Sequence, residues 1–361
     1  MSQIKRSFND DTYTIVYPVT EKEHGIRLDQ FLKDHFSSFS REFIKKKIEK
    51  KEVIVTGLKR SPPHKPSIKL SKGEEVTLTF TKQKEEEEFW NGKKVPLEYD
   101  PPVIFEDDFI IVISKPPFMT VHPSGRHLFH CATTYFQKIH KKLIHSIHRI
   151  DRETSGILLL GKDTKMTMEI SQMFESGKIK KCYFLIGKKN KHFKTSFPFT
   201  ASESLKPLDI LPTIKSSTIF MQACPQGDSE AKPSETLFEL LAENDTYLLA
   251  LAFPKTGRQH QIRVHAAHHG FPLLGDKLYS GDAQIFSRHK DGLATDSDCE
   301  ELEIPRHALH AIAIHFSYQG KMKTFMAPLP LDLKIWLQEK KMMDENFLQQ
   351  KIEDSLKNYF L

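Results

Sequence analysis

The chain is short of cysteine and of long apolar runs, and each shortage excludes a class of protein. Its four cysteines, Cys131, Cys182, Cys224 and Cys299, are scattered through 361 residues without a C-x-x-C pair. That spacing suits neither a disulfide framework nor a thiolate zinc site, so a reduced, cytoplasmic setting is expected. Apolar stretches such as Tyr247 to Phe253 fall far below the roughly 20 residues a helix needs to cross a bilayer. Met1 to Arg6 carries no apolar stretch of the kind a signal peptide requires. No H-E-x-x-H pattern and no repeat period are present. The formal net charge of +6 admits a nucleic-acid partner without requiring one.

What is present is concentrated in two segments. The first is His148-Arg149-Ile150-Asp151-Arg152-Glu153-Thr154-Ser155-Gly156. It sets a carboxylate between two arginines and is followed by Ile157-Leu158-Leu159-Leu160-Gly161. A short apolar run closed by glycine predicts a buried strand, which places Asp151 in a loop at the mouth of a rigid sheet. Taken alone, Asp151 with Arg149 or Arg152 is an ordinary loop ion pair.

The second segment runs from Pro254-Lys255-Thr256-Gly257-Arg258 into Gln259-His260-Gln261-Ile262-Arg263-Val264-His265. Turn residues open it, and Gly270 with Pro272 close it as a helix stop signal. Arg263 is therefore expected inside a short helix, with His260, Val264 and Ala267 on adjacent turns.

The first segment resembles the H-R-L-D-x-x-T-S-G loop of the RluA-type pseudouridine synthases, and the second resembles that family's T-G-R-x-H-Q-I-R-V-H. Further elements follow in the family's order: Glu106-Asp107-Asp108 to Val121-His122-Pro123, Lys181-Cys182-Tyr183, Gly275-Asp276 with Tyr279, and Arg306 to Ala311. The resemblance spans about residues 101 to 328. Ile150 stands for the usual leucine, Ser114 for asparagine and Gln259 for the common threonine. None of these departures removes a reactive group.

Residues 26–56 form a separate unit. Leu28, Phe31, Leu32 and Phe36 share one helical face, and Ser40 is expected to cap a second helix with Phe43, Ile44 and Ile48 inward. The other faces of that helix carry Arg41, Lys45, Lys46, Lys47, Lys50 and Lys51. Val53 to Thr56, and Val76, Leu78 and Phe80, predict strands. The unit resembles the S4 RNA-binding module, with Lys51 where glycine usually precedes the strand. The expected organisation is an S4-like domain over 1–83, a charged linker over 84–100, a catalytic domain over 101–335 and a helical tail over 336–361. The polar stretch between Gly281 and Pro305 is expected to be an exposed insertion. The fold class is α+β, the catalytic domain being a mixed, largely antiparallel sheet flanked by helices.

The resemblance implies an isomerase that converts uridine in RNA to pseudouridine without a cofactor. It implies that Asp151 attacks covalently or takes a proton from the ribose, that Arg263 faces it, and that Tyr183 and Ile262 lie beside the base. Arg149 and His148 join them as substrate-binding candidates; a loop-bracing ion pair is equally open to Arg149, and bracing of the loop through hydrogen bonds is the favoured role of His148 and Thr154. Arg41, Lys45, Lys46, Lys47, Lys50 and Arg152 are the candidate RNA contacts. Val121 to Arg126 resembles the branch acting on tRNA, with large-subunit rRNA as the alternative substrate. The protein is expected to act as a monomer with neither a membrane nor an obligate protein partner. Two other functions compete: an inactive RNA-binding or chaperone protein, and a metal hydrolase using His145, His148, His260, His265, His268 and His269. No metal is expected, since neither H-E-x-x-H nor a cysteine pair supports one.

Overall fold

The computed structural model describes residues 4–8, 12–35, 41–57, 62–81, 87–123, 127, 129–208, 220–225, 228–290 and 292–360. Phe36, Ser40 and Ser124 to Arg126 lie outside these residues, as does the Phe43 side chain. The chain forms two compact units. One comprises Met1–Glu86 and His122–Lys142, the other Glu87–Val121 and Leu143–Leu361.

The first unit holds a four-stranded antiparallel sheet in the order Lys5–Phe8, Thr12–Pro18, Glu75–Thr81, Val53–Thr56. Alternation along Thr12–Pro18 buries Tyr13, Ile15 and Tyr17 opposite Phe80, Leu78 and Val76. Helices Leu28–His35 and Arg41–Glu49 add Leu28, Phe31, Leu32, Ile44 and Ile48 to the same core. Lys47 departs from expectation. It falls on the inward stripe between Ile44 and Ile48, is only 7% exposed, and pairs with Glu52 at 2.7 Å over the Phe80 ring. A buried ammonium needs such a partner, so Lys47 is a core contact rather than a contact for RNA. Arg41, Lys45, Lys46 and Lys50 are exposed. Residues 122–142, expected in the second domain, belong to this unit, where Phe129 packs on its core.

The second unit is built on a ten-stranded sheet. Its central order is Thr236–Glu243, Tyr247–Pro254, Lys180–Lys188, Leu309–Tyr318, Ser155–Gly161, Ile110–Lys115. These neighbours are antiparallel except Ser155–Gly161 on Leu309–Tyr318, which is parallel. The fold is thus α+β with a mixed, largely antiparallel sheet. Every residue of Ser155–Gly161 is buried, as a central strand demands. The parallel pairing requires glycine at 156: φ is +105°, and a Cβ there would stand 2.2 Å from the Ala311 carbonyl oxygen.

The C-terminal residues are not a separate tail. Helix Leu331–Glu339 runs across the expected boundary at 335/336. With helix Glu345–Phe360 it buries Leu333, Trp336, Leu348, Ile352 and Leu356 against Phe184, Ile186 and Leu251 of the sheet. The stretch expected to be an exposed insertion also folds. Helices Ala283–Lys290 and Asp296–Leu302 bury Ile285 and Leu302, Thr295 and Asp298 form a capping box, and Arg288 joins the helices through Asp298. Its acidic residues are therefore partly committed to caps and ion pairs. Within the expected linker, Glu88–Trp90 and Lys93–Val95 form a hairpin, and Trp90 stacks on His289. Among the described residues no helix is long and apolar enough to cross a membrane.

This packing makes two quantities measurable. Ile352→Ala removes a fully buried side chain from the shared core and should cost about 2–5 kcal/mol. Urea unfolding followed by tryptophan fluorescence measures it, and a loss under about 0.5 kcal/mol is the value typical of surface sites instead. His310 is fully buried, with Nδ1 on Ser155 Oγ at 2.9 Å, and burial holds its pKa down to about 3. An unfolded histidine titrates near 6.5, so below that pH the unfolded chain binds a proton that the folded chain refuses. This contribution is complete above pH 6.5 and is lost as pH falls towards 3, by about 1.4 kcal/mol per unit. Unfolding midpoints at pH 7, 6 and 5 should therefore fall more steeply for the wild type than for His310→Asn.

Candidate active site

Asp151 stands in the loop that precedes strand Ser155–Gly161. The loop's backbone is held carbonyl by carbonyl. Thr154 N–H donates to the Asp151 carbonyl at 3.1 Å, Lys115 Nζ to that of Arg152 at 3.1 Å, and Arg306 Nη1 to that of Glu153 at 3.3 Å. Lys115 and Arg306 are both fully buried. Lys115 also donates to the carbonyls of Pro116 and Met119, and its pKa is driven well down by burial and by Arg306 and Arg152 nearby. Arg306 is neutralised by Asp332 at 2.6 and 3.0 Å. The Glu153 side chain meets Lys277 at 2.7 Å, while Thr154 Oγ1 bonds His307 Nε2 at 2.7 Å.

Helix Gln261–His268 presents Arg263 to this loop. Arg263 is 5% exposed. Its Nη1 donates to Asp151 Oδ2 at 2.9 Å, and its Nε and Nη2 donate to the two oxygens of Asp276 at 2.7 and 2.8 Å. The guanidinium also lies over the Tyr279 ring. Burial raises the Asp151 pKa, but the charges of His260, Arg263 and His307 and the Arg263 hydrogen bond outweigh it and leave the carboxyl well below the usual range. At neutral pH the lasting charge is Arg263, because burial and Arg263 itself hold His260 down to about 4.

The loop before the helix is fixed by Gln261. Its Oε1 accepts from Thr256 Oγ1 at 2.7 Å and from Arg258 N–H at 2.9 Å, and its Nε2 donates to the Glu235 carbonyl and Thr236 Oγ1. His260 takes a left-handed φ of +55°, uncommon for a residue other than glycine. Its Nδ1 is 2.9 Å from the Tyr279 hydroxyl, and its Nε2 is 3.9 Å from Asp151 Oδ2.

Tyr183 enters from strand Lys180–Lys188, where the pairing with Leu309–Tyr318 shifts register between Cys182 and Tyr183. A bulge of this kind re-aims the side chain. Burial, then the Asp151 charge, pushes the Tyr183 phenol up, so it is a neutral O–H at pH 7. Lys181 faces the same cavity, donates to the Thr256 carbonyl at 3.1 Å, and is lowered by burial to about 8.

One cavity therefore brings together Asp151, Tyr183, Arg263, Arg149 and Ile262. Two expected members are elsewhere. His148 accepts a hydrogen bond from Leu159 N–H at 3.0 Å and stacks on Phe174, and burial holds it down to about 3. It braces the strand behind the loop and does not line the cavity. Arg152 pairs with Glu88 at 2.7 Å and lies over Phe118, so its guanidinium is committed within the protein rather than offered to RNA. Both turn inward because the loop carrying them is anchored on the sheet. Asp276 has a place the sequence did not reveal. Gly275-Asp276 and Tyr279 were legible as a pattern, but nothing linear tied that carboxylate to Arg263.

The histidines are also dispersed. His265 bonds Ser234 and Thr236, and His269 bonds Glu203. Among the described residues no three His, Cys, Asp or Glu side chains are grouped to hold a metal ion.

The chain is similar to known proteins over much of its length. The family description of RNA pseudouridylate synthase matches residues 109–268. A ribosomal large subunit pseudouridine synthase C of Buchnera aphidicola subsp. Acyrthosiphon pisum is 33% identical over 65% of this chain and 69% of its own length. A ribosomal large subunit pseudouridine synthase D of Vibrio vulnificus is 28% identical over 87% of this chain and 91% of its own. In fold, the solved structure of human RNA pseudouridylate synthase domain containing 4 aligns with a TM-score of 0.53 at 22% identity, covering 67% of this chain and 94% of that one. With the loop, the helix and the sheet that joins them in place, the chain belongs to the RNA pseudouridylate synthase family, enzymes that isomerise uridine in RNA.

Proposed function

We propose that the substrate is large-subunit ribosomal RNA and that Asp151 is the reacting carboxylate. The observation that carries the site assignment is the Arg263–Asp151 contact of 2.9 Å inside the cavity that Tyr183 also lines. The ribosomal names of the related proteins support the choice of RNA. A carboxylate kept ionised in an enclosed site suits either attack on the ribose or removal of a ribose proton. The C1′–N1 bond breaks, the uracil turns, C1′ bonds to C5, and the C5 proton is lost while N1 gains one. Atoms and electrons balance within the nucleotide.

The uridine must leave its stack to reach Asp151, at a cost of a few kcal/mol. Arg149, exposed at the cavity, is placed to contact a phosphate, and Tyr183 and Ile262 offer a flat and an apolar surface to the base. The first unit supplies further binding, as an S4-type RNA module through Arg41, Lys45, Lys46 and Lys50. The enzyme acts as a monomer in the cytoplasm.

Asp151→Asn keeps shape while removing both nucleophile and base. Release of tritium from RNA labelled at uridine C5 should fall below detection with RNA affinity retained. Arg263→Met should also inactivate, because breaking a buried pair costs about 3–5 kcal/mol or forces Asp151 to protonate. Arg263→Lys, which keeps the charge without the fork, should lose less. Turnover near wild type in Asp151→Asn or Arg263→Met, on either rRNA or tRNA, would falsify the site assignment. Labelled tRNA converted in preference to rRNA would instead replace the substrate.

Replacing Arg41, Lys45, Lys46 and Lys50 with alanine should weaken RNA binding. The slope of log K on log salt should flatten by about 0.7–0.9 for each phosphate no longer neutralised. An unaltered slope means that this helix does not touch the RNA.

A further inference from the structure

We propose that His260 is a specificity-determining residue that reads the sugar of the target nucleotide: its Nε2–H donates to the ribose 2′-hydroxyl, which in turn donates to Asp151. The inference rests on reading Asp151 as the reacting carboxylate.

The hydrogen on His260 is placed by its neighbours. Nδ1 is 2.9 Å from the Tyr279 hydroxyl, whose oxygen also accepts from the Met221 N–H at 3.0 Å. Burial pushes the Tyr279 phenol up, so it keeps its proton at pH 7. Among the described residues, Nδ1 is the one acceptor within hydrogen-bond reach of that hydroxyl. Tyr279 therefore donates to Nδ1, and the ring, held neutral by burial and Arg263, carries its hydrogen on Nε2. Nε2 has no hydrogen-bond partner among the described residues; Asp151 Oδ2 is 3.9 Å away. The imidazole lines the cavity from a left-handed backbone, φ +55°, that glycine would take at lower cost. Such strain in a cavity wall accompanies a side chain placed for use.

A gap of 3.9 Å is too long for a hydrogen bond but admits one oxygen at about 2.8 Å from each side. That oxygen must accept from Nε2–H and donate to the carboxylate. A hydroxyl does both, whereas a carbonyl only accepts and an N–H only donates. Asp151 must reach C1′ or C2′ of the ribose, and the hydroxyl attached there is the 2′-OH. The N3–H of uracil points away from the sugar. Oδ2 then holds Arg263 Nη1, at 2.9 Å, on one lone pair and the 2′-OH on the other, which leaves Oδ1 to the reacting carbon. A neutral imidazole orients the sugar without adding a second cation beside Arg263. The 2′-OH, donor and acceptor at once, is also the group that separates RNA from DNA. A site built to hydrogen-bond it rejects a nucleotide that lacks it.

The test sets one side chain against one hydroxyl. His260→Gly removes the imidazole and accepts the left-handed backbone. The substrates are an RNA that the wild type converts and the same RNA with 2′-deoxyuridine at the converted position. The ratio of kcat/KM for the ribose RNA to that for the deoxy RNA should be about tenfold smaller in H260G than in the wild type, the scale of one hydrogen bond in the site. Effects of the missing hydroxyl on intrinsic reactivity occur in both proteins and cancel. A histidine that only braces Tyr279 would slow both RNAs alike, so ratios equal within about twofold overturn the proposal. Should H260G not fold, His260→Asn also tolerates this backbone, its shorter amide does not reach the gap, and the same ratio decides. Should the deoxy RNA react in neither protein, Kd for the two RNAs is compared in the Asp151→Asn background with and without H260G. A ratio that shrinks by more than about twofold on loss of His260 supports the contact, and one that does not overturns it. An active Asp151→Asn would defeat the underlying reading, whereas an inactive Asp151→Asn beside unchanged ratios defeats only the role of His260.

Discussion

One guanidinium buried between two carboxylates is the interaction on which the second unit's arrangement depends. Arg263 cannot be left unpaired at 5% exposure, and neither Asp151 nor Asp276 can hold its charge there without Arg263. The first comes from a loop, and the other two from a helix and a turn more than a hundred residues further along the chain. The sheet must therefore bring these elements into register to within a hydrogen-bond length. A site of this kind is a product of the rigid scaffold beneath it rather than of any single motif.

The loop around Asp151 shows how that rigidity is obtained. Three successive carbonyls receive donors from Thr154, Lys115 and Arg306, the last two without exposure to water. Buried donors satisfying backbone oxygens hold a loop in one conformation before any substrate arrives. His148 and Arg152 serve the same end. One binds the backbone of the strand behind, and the other ties the loop to the hairpin at Glu88. Residues flanking Asp151 are thus divided between those that face the cavity and those that keep the loop in place.

Charge is divided between the two units in the same way. In the first unit Arg41, Lys45, Lys46 and Lys50 stay in solvent, while Lys47 is drawn inward to Glu52 by the helical period that buries Ile44 and Ile48. In the second, Arg263 and Arg306 are buried and act over short distances. Exposed cations are screened and suit long-range attraction to a polyanion; buried ones act locally and with more force.

Linear sequence determined much of this. Period-2 alternation marked Val76, Leu78 and Phe80 as a strand, the apolar run ending at Gly161 marked a buried strand, and Gly270 marked the end of the Arg263 helix. The two motifs named Asp151 and Arg263, because local chemistry and spacing are properties a string of residues carries. Tertiary structure decided what depended on partners distant in the chain. It gave Asp276 to Arg263, turned His148 to Leu159 and Arg152 to Glu88, and drew Trp336, Leu348 and Ile352 into the sheet's core. It also folded the polar stretch after Gly281 into a capped helix pair. A side chain's hydrogen-bond partner is chosen by whatever the fold places beside it. For a buried charge, desolvation makes that choice obligatory, and no local pattern records it.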